Sequence, residues 1–120
     1  MSTDNGTVVV VEDDPHIADL NLPIGEAQLA DWYRHWIDLG LDSLEARLGR
    51  ERETGKFCHG GTPGLADICL VPQLFNAMRF DKDPLTRRPV LKRIFEACMS
   101  LEAFDRAHPC RVEPAWRFGQ

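Results

Sequence analysis

Between Leu65 and Phe80 the chain offers no continuous polar face. It reads Leu65-Ala66-Asp67-Ile68-Cys69-Leu70-Val71-Pro72-Gln73-Leu74-Phe75-Asn76-Ala77-Met78-Arg79-Phe80. A helix that is apolar nearly all round is one buried on most sides, so this segment is expected at the centre of a core. Asp67 falls where a first-turn carboxylate can accept from free backbone N–H groups and complement the helix dipole, with Gly64 as the cap before it. Pro72 removes one internal hydrogen bond and predicts a kink.

Other segments carry the period needed to wrap such a rod. Leu29, Trp32, Tyr33, Trp36, Ile37, Leu41, Leu44 and Leu48 recur at steps of three and four, which predicts a helix from Glu26 to about Gly49 with one wide apolar stripe. Gly40 lies on that stripe and predicts a close approach by another helix. Asp31, Arg34, Asp38, Asp42, Glu45 and Arg47 are expected on the outer face. A third helix places Val90, Leu91, Ile94, Phe95, Cys98 and Leu101 inward, and Arg87, Arg88, Lys92 and Arg93 at its start are expected to form a solvated face. A short fourth element, Leu101 to Ala107, carries Phe104 and stops at His108-Pro109. Arg50 to Pro63 reads as a polar loop closed by Gly60-Gly61-Thr62-Pro63. Arg111 to Gln120 reads as an irregular tail in which Trp116 and Phe118 can dock back on the body. The expected fold is therefore all-α, a bundle of roughly four helices.

The 120 residues are enough for about one domain. A net charge of −5 argues against a nucleic-acid surface, since such surfaces carry a basic excess. No apolar run reaches the length of a membrane span, and the N-terminus lacks a basic-then-apolar signal pattern, which together predict a cytoplasmic protein without membrane contact. Cys58, Cys69, Cys98 and Cys110 show neither a CxxC pair nor metal-ligand spacing, so the expectation is reduced thiols and no metal. Cys58-His59 suggests a nucleophile beside its base, but adjacent residues rarely point at one another, and no catalytic residue is assigned.

Five short words stand in one order: Trp32-Tyr33-Arg34-His35-Trp36-Ile37, Gly55-Lys56-Phe57-Cys58, Leu65 through Gln73, Asn76-Ala77-Met78-Arg79-Phe80, and Ala103-Phe104 with Ala107-His108-Pro109. From Leu29 to Pro114 the chain resembles the C-terminal helical domain of zeta-class glutathione transferases, the maleylacetoacetate and maleylpyruvate isomerases. The resemblance implies a domain at 26–114, an N-terminal extension at 1–25 and a tail at 115–120. It also implies glutathione as cofactor, cis–trans isomerisation of a small dicarboxylic substrate, and a homodimer. In that family a thioredoxin-like domain binds glutathione and activates its thiol; the stretch before Glu26 has no room for one, and the family's first long helix of this domain is also lost. The expected role is the second-substrate side of such an enzyme, inactive by itself.

The resemblance gives Arg79 and Asn76 as substrate-binding residues. A guanidinium forks onto a carboxylate with two hydrogen bonds, although an arginine near a helix C-terminus is also favoured by the dipole alone. Asn76 and Gln73 can orient polar ligands or satisfy nearby backbone groups. Asp67 and Gly64 are read as a structural cap; the family usually carries threonine or serine at the position of Gly64. His16 is not assigned a role.

Residues 7–20 also resemble the first strand and acidic loop of a response-regulator receiver domain, with Val8–Val11 strand-like and Glu12, Asp13 and Asp14 following. No later segment matches the phospho-accepting strand, so an acidic solvated loop is the default reading. The rival to a catalytic half is a non-enzymatic helical module that binds a protein partner or itself.

Overall fold

A computed structural model describes residues 25–115. The expectations for the Val8–Val11 strand, the acidic loop, His16, Trp116 and Phe118 lie outside the described residues. Five helices follow in order: α1 (Glu26–Arg50), α2 (Leu65–Ala77), α3 (Pro89–Met99), α4 (Glu102–Arg106) and α5 (Pro109–Val112). Among the described residues there is no strand, and the all-α class holds. The short α5 replaces the first part of the expected irregular tail. Pro109 opens it, and the His108 Nδ1 accepts from the Cys110 N–H at 3.1 Å.

The chain divides into two compact units, residues 1–31 and 32–120. The described part of the first is the start of α1. There the Gly25 N–H donates to the Gln28 side chain and the Leu29 N–H to the Gly25 carbonyl. The rest concerns the second unit.

The core joins α1, α2, α3 and the loop after α1. Leu41 enters it from α1, Leu70, Val71, Leu74, Phe75 and Ala77 from α2, and Leu91, Ile94 and Cys98 from α3. Phe75 packs edge-on against Phe95 and against His108, with ring centroids 5.3 and 4.8 Å apart. The inward set expected of α3 is found, with Leu91, Ile94 and Cys98 fully buried and Val90, Phe95 and Leu101 packed at the margin.

The central helix departs from expectation in one respect. Only one side of α2 is covered: Leu65 is 75% exposed, and Ile68, Cys69, Pro72 and Gln73 also face outward. Pro72 sits on that open side within an unbroken helix. Its missing N–H removes one internal hydrogen bond on a side of the helix that is exposed among the described residues.

The stripe on α1 also resolves differently. Tyr33, Ile37, Leu41 and Leu48 turn inward, whereas Trp32 (53% exposed), Trp36 (52%) and Leu39 (52%) face out, and Leu29 and Leu44 are exposed too. At about 100° per residue, Trp32 lies opposite Leu41, so α1 carries two apolar faces rather than one. Gly40 does not mark a close approach, for a Cβ built there meets nothing within 4 Å.

Of the charged face predicted for α1, Asp31, Arg34 and Arg47 are exposed as expected, whereas the other three acids line a seam against α3. Asp38, Asp42 and Glu45 follow at steps of four and three and meet the start of α3. The Glu45 carboxylate accepts from the Val90 and Leu91 N–H groups at 2.9 and 2.8 Å, capping α3 from another helix where Arg88 at the N-cap supplies no side-chain cap. Arg88 was expected on a solvated face and is 0% exposed. Its Nε donates to Asp42 at 2.8 Å, one Nη to Asp38 at 2.9 Å and the other to the Pro84 carbonyl at 2.6 Å. Burial opposes the charge, but the hydrogen bonds to the two aspartates outweigh it and raise the pKa.

The loop expected to be polar supplies two core residues, Phe57 and Cys58. Its path depends on two glycines. Gly60 adopts φ 79°, in the left-handed region, and a Cβ on Gly55 would stand 2.6 Å from the Gly60 carbonyl oxygen. That fold-back is closed by N–H donation from Gly55 to Phe57, from Phe57 to Gly60 and from Gly60 to Glu53.

Candidate functional site

The two ends of α2 carry different chemistry. At its N-terminus the Asp67 carboxylate is 1% exposed and divides its oxygens between two donors. Oδ2 accepts from the Gly64 N–H at 2.8 Å, and Oδ1 from the Cys58 N–H at 3.0 Å, with the Cys98 Sγ at 3.8 Å from the same oxygen. One side chain therefore ties the helix start to the buried loop and to α3. Gly64 contributes backbone only: its carbonyl accepts from Asp67 and Ile68. A Cβ there would meet nothing within 4 Å, so the hydroxyl residue common in the resembled family would fit.

The thiols beside this cluster are the reverse of activated. Burial first, then hydrogen bonding and repulsion from Asp67, push Cys58 up to about 12; burial and Asp67 push Cys98 up to about 11. Cys58 is buried while His59 is exposed, so the pair is no nucleophile with its base. Cys69 and Cys110 are exposed and all four are free. An aromatic disulfide reagent at mildly alkaline pH is expected to titrate two thiols quickly, the other two reacting only on unfolding. Rapid reaction of all four would contradict the burial. Because the folded state keeps Cys58 and Cys98 protonated above their ordinary value of 9.0, their contribution to stability is complete below that pH and is lost as pH rises towards 11 to 12.

At the C-terminal end the chain leaves α2 through tight turns. The Arg79 N–H donates to the Asn76 carbonyl, and the Phe80 and Asp81 N–H groups to the Ala77 carbonyl. Asn76 is half-buried and Arg79 exposed. Two residues of α1 hold this turn. The Tyr33 ring stacks on Phe80 with centroids 5.2 Å apart and planes 16° from parallel, and the Arg34 Nε donates to the Phe80 carbonyl at 2.9 Å. Neither appeared in the sequence as part of a site, and Arg34 looked like an outer-face charge; no local spacing signals a bond spanning 46 positions. Beside the turn lies a cavity of about 220 Å³ lined by Arg34, Ile37, Ala77, Phe80, Asp81 and Pro84. Asn76 and Arg79 do not line it.

Among the described residues no group of three or more His, Cys, Asp or Glu is placed to hold a metal ion, and no helix is long and apolar enough to cross a membrane.

Residues 26–97 match the family described as glutathione S-transferase, C-terminal domain. The chain belongs to that family. It is 46% identical over 90 residues to a maleylacetoacetate isomerase of Rhizobium meliloti (strain 1021), a match covering 75% of this chain and 41% of that protein. Among solved structures it resembles a holo maleylpyruvate isomerase, a bacterial glutathione S-transferase of the zeta class, at a TM-score of 0.69 and 39% identity over 79% of this chain and 44% of that one. It also resembles a maleylacetoacetate isomerase from Anaeromyxobacter dehalogenans 2CP-1, with dicarboxyethyl glutathione and citrate in its active site. That likeness has a TM-score of 0.64 and 45% identity over 72% of this chain and 38% of that one. The chain thus spans about two-fifths of the length of these relatives, and what it matches is their glutathione S-transferase C-terminal region.

The described residues alone do not fit glutathione. The 220 Å³ cavity is below the roughly 300 Å³ at which sites for ligands of that size begin. The buried thiols, held protonated, offer nothing that would activate a bound sulfur.

Proposed function

We propose that this domain, taken as residues 26–114, forms the second-substrate side of a glutathione-dependent cis–trans isomerase acting on a small dicarboxylate, and that by itself it turns nothing over. The observation that carries the reading is the exposed Arg79 on a turn braced by Tyr33 and Arg34, beside Asn76 and outside the packed core. A guanidinium held there is suited to a substrate carboxylate. Glutathione would need a second domain to complete its site. We further infer a homodimer, supported by the uncovered apolar faces of α1 and α2, and a cytoplasmic setting, supported by four free cysteines.

Amide shifts during titration with maleate test the substrate side. Shifts confined to Asn76–Asp81, saturating in the millimolar range and abolished by Arg79→Ala, are the expected result. Shifts elsewhere, or none, would remove Arg79 and Asn76 from the reading. In an isomerase assay with maleylacetoacetate or maleylpyruvate plus glutathione, clear turnover by the isolated chain would overturn the claim of inactivity.

A further inference from the structure

The cavity between α1 and the connection after α2 is walled by charges of both signs. Arg34, Asp38 and Asp81 line it above an apolar floor of Ile37, Ala77 and Pro84. The three charges do not cancel one another: among the described residues no ion pair joins Arg34 to either aspartate. Each aspartate spends one oxygen elsewhere. The Asp38 Oδ1 accepts from Arg87 and Arg88 at 3.2 and 2.9 Å, and the Asp81 Oδ1 accepts from the Asp83 N–H at 3.0 Å. The Oδ2 atom of each accepts no hydrogen bond from a described residue. Arg34 gives its Nε to the Phe80 carbonyl, and a guanidinium has five N–H donors, so that one bond does not exhaust it.

A wall of this kind selects by charge. A lone carboxylate drawn to Arg34 meets two aspartates, and a lone ammonium drawn to the aspartates meets Arg34. A molecule that carries both groups satisfies all three: its ammonium has N–H donors for both Oδ2 atoms, and its carboxylate accepts from the guanidinium. Size sets the rest. A cavity of about 220 Å³ is the share of roughly seven water molecules at about 30 Å³ each, room for a short aliphatic side chain and not for an indole. We propose that this cavity binds a small zwitterionic α-amino acid, its carboxylate on Arg34, its ammonium between Asp38 and Asp81, and its aliphatic side chain on the Ile37, Ala77 and Pro84 floor. The inference goes beyond the isomerase reading and does not rest on it, since Asn76 and Arg79 do not line the cavity.

Amide shifts of the full chain during titration with L-valine test the site. Isovalerate and isobutylamine keep the same aliphatic body with one charge each and serve as controls. Saturable shifts at Arg34, Ile37, Ala77 and Asp81 are expected with valine in the millimolar range, and binding at least about tenfold weaker with either control. Shifts at Arg34 and Ile37 separate this site from the turn that maleate titration reads. Asp81→Asn keeps an acceptor for the Asp83 N–H and removes the charge. It is expected to weaken valine binding at least about fivefold with unchanged circular dichroism. Isovalerate or isobutylamine binding as tightly as valine overturns the zwitterion. No saturable shift at these amides, or an Asp81→Asn chain that binds valine as the parent does, overturns the site.

Discussion

Asp67→Asn is expected to lower the melting temperature of this chain by more than about 10 °C, a loss of roughly 3 kcal/mol or more. The substitution is nearly isosteric, which makes it a sharp test. The carboxylate gives one oxygen to the Gly64 N–H and the other to the Cys58 N–H, two donors in different segments. An amide has one oxygen. Whichever way it turns, its NH₂ group faces one of those N–H groups at about 3 Å, where two donors repel and a buried N–H loses its acceptor. At 1% exposure, water cannot enter to compensate. The loss should be largest where the loop meets the helix, so hydrogen exchange at Phe57, Cys58 and the first turn of α2 should quicken before exchange in α3. Differential scanning calorimetry gives the magnitude. A variant melting within about 2 °C of the parent would mean that the carboxylate is not what ties these segments together.

That cap could be read in the sequence because its logic is local: a glycine, two residues, then an acid at the head of an apolar run. The inner side of α3 and the helical class were legible for the same reason, since a 3.6-residue period reports which residues share a face. Two things were not legible. Adjacent pairs such as Trp32-Tyr33 and Trp36-Ile37 stand about 100° apart on a helix, so a stripe holding both members of each pair is too wide for one face. Read as one stripe, they hid a second, outward apolar face. The acids of α1 posed the other difficulty. Period alone cannot tell a carboxylate facing water from one facing a guanidinium or a helix N-terminus, and the groups that Asp38, Asp42 and Glu45 meet come 45 to 50 positions later. The turn bearing Arg79 shows the same limit. The word Asn76 to Phe80 marked it as a candidate, but its bracing by Tyr33 and Arg34 exists only once α1 lies against it.

The second large effect is expected at Arg88. Its guanidinium points in three directions: to Asp42, to Asp38, and back to the Pro84 carbonyl in the connection that leads into α3. Arg88→Met keeps much of the volume and removes all three contacts. For a fully enclosed ion pair the loss of one partner costs about 3–5 kcal/mol, but here both aspartates are partly exposed and regain water, so we expect about 2–4 kcal/mol. Arg88→Lys should recover only part of this, because a single ammonium cannot fork to two carboxylates and reach a carbonyl on the other side. Urea unfolding followed by circular dichroism, with variants compared at one protein concentration, should show a lower midpoint with little change in slope. Adding Asp42→Asn separates pairing from packing. If the Arg88–Asp42 bond holds α1 against α3, the aspartate change should cost clearly less in the Arg88→Met background than in the parent. Equal costs in the two backgrounds, or an Arg88→Met chain as stable as the parent, would mean that apolar contact around Leu41 and Leu91 carries the junction and the buried fork is incidental to it.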